Sequence, residues 1–575
     1  MSEQTGAGPS RSPLLSGVER YDPPRHPAPV DLRLDGNEGA APSSAALEAI
    51  AASGTELLRR YPNARGLEAK IAARIGVEPR RVLVTAGADD ALERAIRSVL
   101  GPGRELLLPV PTFEMIERYA HLTGCELRAV PWLGGPFPIE EMLGAISGRT
   151  AMIAVVTPNS PSGLVAGEED LRRLAAAAPR ALLLVDLAYV EFADSDPTAA
   201  VLELPNAVAV RSMSKAWGLA GARVGWAAGP RELIDWLRAA GHPYAVSGPS
   251  LAAAEARLEQ EREVRAFVSR VREQREMLGE LLRELGADPL PSQANFALAG
   301  FEDASWVRDA LAGLGIAVRA FAGRNDLRDR LRITVPGDPS GWERLEHGLR
   351  TALDPEAILF DVDDTLADVG GSYRAATIAT AESFGARITP EQITAAKAAG
   401  NANDDWELTW RLLEEAGRET ALEEVTARFE QLYQGAPGRP GLRDRETALV
   451  DRSTLERLAA RVRLGVVTGR PRRDAEQFLR EQGIEDLFGA VVTMDDAPLK
   501  PDPAPVRLAL KRLGVERAWL IGDTPDDVRA ARSAGVVPLG TIAPADDPAV
   551  ARRALFAAGA ARVLANAGQI EEVIS

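Results

Sequence analysis

Four apolar runs of strand length recur early in the chain: Arg81-Val82-Leu83-Val84, Glu105-Leu106-Leu107-Leu108, Met152-Ile153-Ala154-Val155-Val156 and Ala181-Leu182-Leu183-Leu184-Val185. Helical stretches separate them, and they end in Thr-Ala-Gly, Pro, Thr-Pro-Asn and Asp. Strands that are apolar throughout, without inside–outside alternation, need cover on both faces, and the intervening helices supply it. The expected fold class is therefore α/β, a parallel sheet whose chemistry gathers at the carboxyl ends of its strands.

The pattern then restarts. A charged helical region at about 251–285 leads into Asn295-Phe296-Ala297-Leu298 and Leu331-Arg332-Ile333-Thr334, strands of a smaller α+β unit. Asp354-Pro355 ends the next helix, and Ala357-Ile358-Leu359-Phe360 opens a second α/β unit after a short linker. Residues from about 372 to 449 are mostly helical and interrupt that unit like an inserted cap. The runs 464–467, 491–492 and 518–521 resume the sheet. The expected domains are a leader at 1–30, a first enzyme-like part at 31–353 and a second at 354–575.

At 575 residues the chain is too long for one hydrophobic core. Its net charge of -16 argues against a nucleic-acid partner, since phosphate backbones are bound by basic surface. The single cysteine, Cys125, rules out an internal disulfide; it suits a reducing compartment and reads as a buried apolar residue, so cytoplasm is expected. No apolar run approaches the ~20 residues of a membrane helix, so no membrane partner is expected. The start, Met1 to about Pro29, is rich in Gly, Ser and Pro and reads as a disordered leader. His26, His121, His242 and His347 sit in no recognisable motif, which disfavours zinc and Ser-His-Asp chemistry.

Lys215 follows the apolar run Ala207-Val208-Ala209-Val210, so its amine can reach a strand-end cleft and hold the aldehyde of pyridoxal 5'-phosphate (PLP). Asp186 ends another strand, where a carboxylate would keep the cofactor's ring nitrogen protonated. Ser212, Ser214 and Arg223 can hold the cofactor phosphate. Gly87-Ala88-Asp89 lies between a strand and a helix, where free N–H groups favour an anion.

With these, the segments Leu34-Asp35-Gly36-Asn37-Glu38, Arg60-Tyr61-Pro62-Asn63, Pro111-Thr112-Phe113, Thr157-Pro158-Asn159, Asp186-Leu187-Ala188-Tyr189 and Leu331-Arg332-Ile333-Thr334 follow in order. Residues 31–353 resemble fold-type-I aminotransferases, and within them the histidinol-phosphate aminotransferase branch. The resemblance implies that Phe113 stacks on the pyridine ring and that Asn159 and Tyr189 bond its phenolic oxygen. It implies that Asn37 contacts substrate and that Arg319 and Arg332 bind its anionic end. Tyr61 would reach the cofactor phosphate of a neighbouring subunit, which makes a homodimer part of the site. The family's usual Asn-Glu-Asn-Pro-(aromatic)-Gly is here Asn37-Glu38-Gly39-Ala40-Ala41-Pro42, without the aromatic residue expected on substrate.

In the second part, Asp361-Val362-Asp363-Asp364-Thr365 ends an apolar strand in paired carboxylates. One carboxylate of such a pair can attack phosphorus while the other moves protons, and a phosphate dianion between acids demands a cation, Mg²⁺. Val467-Thr468-Gly469-Arg470, Lys500-Pro501-Asp502-Pro503 and Ile521-Gly522-Asp523-Thr524-Pro525-Asp526-Asp527 follow in order. This set resembles the haloacid-dehalogenase superfamily over about 356–575, with a helical cap. The resemblance implies Asp361 as nucleophile, Asp363 as general acid/base, and a metal held by Asp361, Asp363 (through its carbonyl) and Asp523, with Asp527 close by. Thr468 and Lys500 would steady the phosphoryl group. Asp364 stands where many members have Gly; Asp526 reads as a solvated side chain, and Trp406, Trp410 and Tyr433 of the cap as packing.

Together the two resemblances imply a bifunctional enzyme acting on small molecules: glutamate-dependent amination of a phosphorylated keto compound, then hydrolysis of the phosphate. Imidazole-acetol phosphate, histidinol phosphate and histidinol fit that order. The same motifs also fit another phosphorylated amino compound, a PLP decarboxylase, or an aminotransferase with a non-catalytic rear module.

Overall fold

The computed structural model describes residues 11–16, 18, 20, 25–321, 323–400, 403–436 and 438–574. The chain packs as two compact units. One contains Leu34–Phe301 and Arg330–Trp342; the other contains Glu302–Asp329 and Glu343–Ser575, with residues 25–33. Among the described residues no helix is long and apolar enough to cross a membrane.

The first unit is built on a seven-stranded sheet in the order Val82–Thr85, Gly225–Ala228, Ala207–Ser212, Leu182–Asp186, Thr150–Val156, Glu105–Val110, Glu126–Pro131. The four expected strands are present within two residues of their predicted bounds. Gly225–Ala228, which was not expected, runs antiparallel to both its neighbours. One apolar cluster covers each face, one gathered around Leu106, Leu184 and Val210, the other around Leu107, Leu183 and Val185. The helix Gly87–Val99 shows why: Ala88, Ala91, Leu92, Ala95, Ile96 and Val99 recur at three- and four-residue spacing and are all buried. Phe296–Gly300, Arg330–Thr334 and Asp288–Pro289 form antiparallel pairs in the same unit.

The second unit holds a six-stranded, fully parallel sheet, ordered Phe488–Val492, Arg463–Val467, Ala357–Phe360, Ala518–Gly522, Val537–Thr541, Arg562–Leu564. The last two strands were not expected from the sequence. Between its first and second strands in chain order lie the helices Tyr373–Ser383, Pro390–Ala399, Asp405–Glu415 and Leu422–Gln434, followed by Arg452–Ala459. A short antiparallel ribbon, Ala367–Asp368 against Thr447–Ala448, joins the cap's entry to its exit.

Packing does not divide the chain at Asp354-Pro355. The helix Ala304–Gly313 and the end of Pro339–Leu353 pack on the parallel sheet of the second unit, with Trp306, Ala310 and Ala352 in one cluster with Ile358, Phe360 and Trp519. Trp306 and Trp519 meet with ring centroids 4.5 Å apart. Their indole nitrogens donate to Ala352 O at 2.9 Å and Thr351 O at 2.7 Å, satisfying two carbonyls at a helix end. Part of the expected leader lies outside the described residues. Its last part is ordered: His26 Nε2 is 2.9 Å from Ala561 O, its ring meets Phe556 edge-on, and Ala28 is buried. Composition could not show those partners, which lie over 500 residues away in sequence.

Trp519 is fully buried, so Trp519→Ala is expected to cost about 3–5 kcal/mol of unfolding free energy. Urea denaturation followed by far-UV circular dichroism reads this; a loss below about 1 kcal/mol would contradict the packing role.

Candidate active sites

In the first unit, the parallel strands Leu182–Asp186 and Ala207–Ser212 lie side by side with Asp186 opposite Val210. Asp186 and the Ser212–Lys215 turn therefore leave the sheet at one edge. There a cavity of about 360 Å³ is lined by Ala88, Phe113, Asp186, Tyr189 and Lys215, with Asp89, Ser212, Ser214 and Arg223 also on its wall. Lys215 Nζ donates to Gly36 O at 3.0 Å and stands 5.6 Å from the Tyr189 ring centre. Burial pushes the Asp186 carboxyl up to about 7, against the Ala188 N–H that donates to its Oδ1 at 3.0 Å and the charge of Lys215. A carboxylate kept ionised at such a place needs a cation facing it, which a pyridinium N–H supplies.

The wall of this cavity beside Asp89 is assembled from three elements. Arg223 donates to Ser214 Oγ at 3.4 Å and to Asp89 Oδ2 at 2.9 Å. Ser214 N donates to Ser212 Oγ at 3.0 Å. Gly87 opens the helix Gly87–Val99 at φ 82, and a Cβ on it would lie 2.8 Å from an Arg223 nitrogen. Only glycine admits both that backbone conformation and that approach. The N–H groups of a helix start, two hydroxyls and a guanidinium thus converge, as a bound phosphate requires.

Other expected residues are placed differently. Asn37 is buried, with φ 54; it bonds Thr334 through N (3.1 Å) and Oδ1 (2.9 Å) and donates to Tyr189 Oη at 3.1 Å. Asn159 gives its amide to Pro111 O and Ser162 Oγ, both at 2.9 Å, and accepts from Thr112 at 2.7 Å. Both asparagines brace the site through protein contacts. Arg332 donates to Ser160 Oγ at 3.1 Å and Asp35 O at 2.8 Å and lies over the Phe296 ring. Arg319 lies on the strand Ile316–Ala320 of the second unit. Tyr61 is 81% exposed and stacks on Tyr244 at 4.6 Å. Sequence reasoning gave no role to Gly36, whose carbonyl receives the lysine; its place in the Leu34–Glu38 segment was the available signal.

In the second unit, register does the same work. Phe360 pairs with Val466 on one side and Ile521 on the other, so Asp361, Thr468 and Asp523 emerge at one end of the sheet. All three are buried. Lys500 Nζ is 2.9 Å from Asp361 Oδ1 and also bonds Asp527 Oδ1 and, at 3.1 Å, Val467 O. Asp527 uses its other oxygen to accept from Thr524 N at 3.0 Å in a capping box that starts the helix Pro525–Ser533. Carboxylate oxygens of Asp361, Asp523 and Asp527 lie within 4.8 Å of one another and could hold a metal ion. Burial raises the Asp361 carboxyl to about 7 despite Lys500, and raises Asp523 well above the ordinary carboxylate range, with Asp364 adding to it. Asp523 Oδ1 has no hydrogen-bond partner among the described residues. One lysine among three buried acids leaves the cluster short of positive charge, so a divalent cation fits it. Burial would lower the Lys500 ammonium, but Asp361 and Asp527 outweigh it and hold it above the ordinary range.

The structure also shows what the motifs did not. Arg470, fully buried, donates to Asp363 Oδ1 at 2.7 Å and Glu446 Oε2 at 2.9 Å, under the Tyr373 ring. It follows Thr468-Gly469 directly, which was the only hint. Asp364 adopts φ 51, which explains glycine at that place in other members; here Arg374 holds its carboxylate at 2.8 Å. Asp526, expected to be solvated, is buried and bonds Arg529 and Asn403, each at 3.0 Å, because the cap descends onto it. Tyr433 is core, as expected. Cys125 is half-buried, and burial pushes its thiol up.

These features define first a class: a fold-type-I PLP-enzyme architecture joined to a haloacid-dehalogenase-like one. The aminotransferase class I and II family matches residues 31–347, and the haloacid dehalogenase-like hydrolase family matches 358–540. The chain belongs to the aminotransferase class I and II family, which implies PLP as cofactor, and carries a haloacid dehalogenase-like hydrolase domain behind it. It is 35% identical over 326 residues to a histidinol-phosphate aminotransferase of Paracoccus denitrificans (strain Pd 1222), covering 55% of this chain and 88% of that protein. It is 48% identical over 197 residues to a protein of Phytophthora nicotianae named imidazoleglycerol-phosphate dehydratase. That match covers 33% of this chain and 44% of the relative, less than half its length. The crystal structure of histidinol-phosphate aminotransferase from Sinorhizobium meliloti with pyridoxal-5'-phosphate shares the fold, with a TM-score of 0.55 at 24% identity over 60% of this chain and 97% of that one.

Asp186→Asn is expected to stabilise the cofactor-free protein. The folded carboxyl titrates near about 7 against 3.8 when unperturbed, so its contribution is favourable at low pH and is lost as pH rises between those values. The variant should therefore melt above wild type at about pH 8, with the difference closing toward about pH 4. Thermal melts across that range check it; a gap that does not shrink on acidification would contradict the buried-carboxyl account.

Proposed function

We propose that the chain is a bifunctional enzyme of histidine synthesis. Its first site transfers an amino group from glutamate to imidazole-acetol phosphate, giving histidinol phosphate; its second hydrolyses histidinol phosphate through an aspartyl-phosphate, with Mg²⁺. The observation that carries this reading is that Lys215 stands in a cavity lined by the residues of its motif set and Asp361 in a buried cluster of its own. The names of the aminotransferase and dehydratase relatives support the pathway. In this reading residues 31–353 form the aminotransferase part, 354–575 the phosphatase part with its cap at about 372–449, and the protein is a cytoplasmic homodimer. The exposed Tyr61–Tyr244 pair supports the dimer, since Tyr61 then reaches the partner's cofactor phosphate.

At the first site, bound PLP supplies an aldehyde for the lysine and an electron sink for the substrate carbon. Arg223, Ser212, Ser214 and the helix start hold its phosphate; Asp186 holds the ring nitrogen's proton, and Phe113 stacks on the ring. Lys215 is the base that takes and returns the proton of the substrate's amine-bearing carbon in the 1,3-prototropic shift, with Gly36 O orienting its amine. Arg332 and Arg319 bind the substrate's anionic end.

At the second site, Mg²⁺ held by Asp361, Asp523 and the Asp363 carbonyl supplies the charge that lets a carboxylate approach a phosphate. Asp361 attacks phosphorus and displaces the alcohol, to which Asp363 gives a proton. Asp363 then takes a proton from the water that frees phosphate from Asp361. Lys500 and Thr468 steady the phosphoryl oxygens, and Arg470 holds the Asp363 carboxylate in place.

A coupled assay tests both steps: glutamate with imidazole-acetol phosphate should yield 2-oxoglutarate and inorganic phosphate from one preparation. Lys215→Ala should abolish the first product, and Asp361→Asn should lower phosphate release at least about 10³-fold while leaving amination intact. No turnover with imidazole-acetol phosphate but turnover with another phospho-ketone would move the enzyme to the second reading, a different phosphorylated amino compound. The absent aromatic beside Asn37 favours that alternative.

A further inference from the structure

The helical cap places one acidic side chain over the hydrolase site without giving it a donor. Asn403, just before the helix Asp405–Glu415, donates from Nδ2 to Lys500 O at 3.0 Å. A Cβ on Gly469 would lie 2.5 Å from the Asn403 carbonyl oxygen, so this cap segment rests directly on the Thr468-Gly469 turn. Asp404 caps the helix, accepting from Trp406 N at 2.9 Å and Glu407 N at 3.0 Å. Asp405 is therefore free of that duty.

The Asp405 side chain is 8% exposed, and its Oδ1 has no hydrogen-bond partner among the described residues. The Lys397 ammonium is 4.0 Å from that oxygen, beyond hydrogen-bond range. Lys397 also faces the charges of Asp364, Asp523 and Arg374, so one ammonium is shared among three carboxylates. Arg374 cannot serve Asp405 either, since it is held by Asp364 at 2.8 Å, Asp546 at 3.0 Å and Thr394 at 3.1 Å. The charges acting on Asp405 are those of Lys397, Asp363, Asp404 and Arg374. Asp405, two residues beyond Asn403, thus shares the charged neighbourhood of Asp363, and Asn403 rests on the site at Lys500 O and Gly469.

We propose that Asp405 receives the substrate's ammonium group, so that the hydrolase site selects phosphomonoesters carrying a primary amine close to the ester carbon. The assignment rests on the phosphatase reading of this site and deepens it. A buried carboxylate lacking a donor gains a charge-assisted hydrogen bond from an ammonium; an uncharged ester leaves it unpaired and is rejected for that reason. The selection is for the amine that the first site installs, so the keto precursor, which also carries a phosphate, is spared hydrolysis.

The test compares the full-length protein with Mg²⁺ on histidinol phosphate, on its deamino analogue imidazolylpropyl phosphate, and on p-nitrophenyl phosphate. Wild type should favour the amine over the deamino ester by at least about tenfold in kcat/KM. Asp405→Asn should bring the two within about twofold of each other, mainly by raising KM for the amine, and leave p-nitrophenyl phosphate within about twofold of wild type. The p-nitrophenyl phosphate rate also reports that the variant is folded. A wild type without the amine preference, a variant that retains it, or a variant that loses all three substrates alike would overturn the assignment. Phosphate release from none of the three by wild type would instead remove the phosphatase reading, and the assignment with it.

Discussion

Charge buried at the ends of parallel strands is the constraint on which both sites depend. Asp186, Asp361 and Asp523 each end or directly follow a strand whose residues are all buried, so backbone register fixes where each carboxylate stands. The cost is desolvation, which raises all three carboxyls. The two units answer it differently. Around Asp186 the protein offers one N–H and a distant lysine, leaving the place for a cation to the cofactor. Around Asp361 it supplies Lys500, itself fixed by Asp527, and the charge left over is of the sign a metal ion would answer. In both, the unpaired charge is what makes the site bind.

The sequence carried this much because strand runs and their terminal residues are local features. Lys215, Asp186, Asp361 and Asp523 could be placed from the run before each of them, and Lys500 from its Lys-Pro-Asp-Pro motif. What stayed hidden depends on distant partners. Gly225–Ala228 is four residues long, with three of them Gly or Ala, too short to announce itself, and its direction is set by pairing on both sides. Arg470 looks like an ordinary surface arginine until Asp363, Glu446 and the Tyr373 ring enclose it. Asp526 reads as solvated because the residue that covers it, Asn403, lies 123 positions earlier. Asn159 was expected to face the cofactor, yet its amide is spent on Pro111 and Ser162.

The division of the chain follows packing more than motif order. The helix Ala304–Gly313 lies within the segment matched by the aminotransferase family, yet its Trp306 belongs to the core that supports the hydrolase sheet. Two buried tryptophans whose indole N–H groups close the last carbonyls of Pro339–Leu353 make that junction a core, not a tether. A linker as short as Asp354-Pro355 is tolerated on this account, because the residues on either side of it already pack together.

The same view of packing narrows where substrate selection in the first site can arise. The segment Gly36–Ala40 works through its backbone: Gly36 O receives Lys215 Nζ, and a Cβ on Gly39 would lie 1.8 Å from Lys215 O. A side chain at Gly39 would push the lysine turn out of place, so this stretch can hold the lysine or carry a substrate-contacting side chain at that position, but not both. In this chain it holds the lysine. Selection then falls to residues outside this stretch. The aromatic of the family pattern would fall at Ala41, two residues beyond Gly39, so its absence leaves the lysine's support untouched and shifts specificity elsewhere.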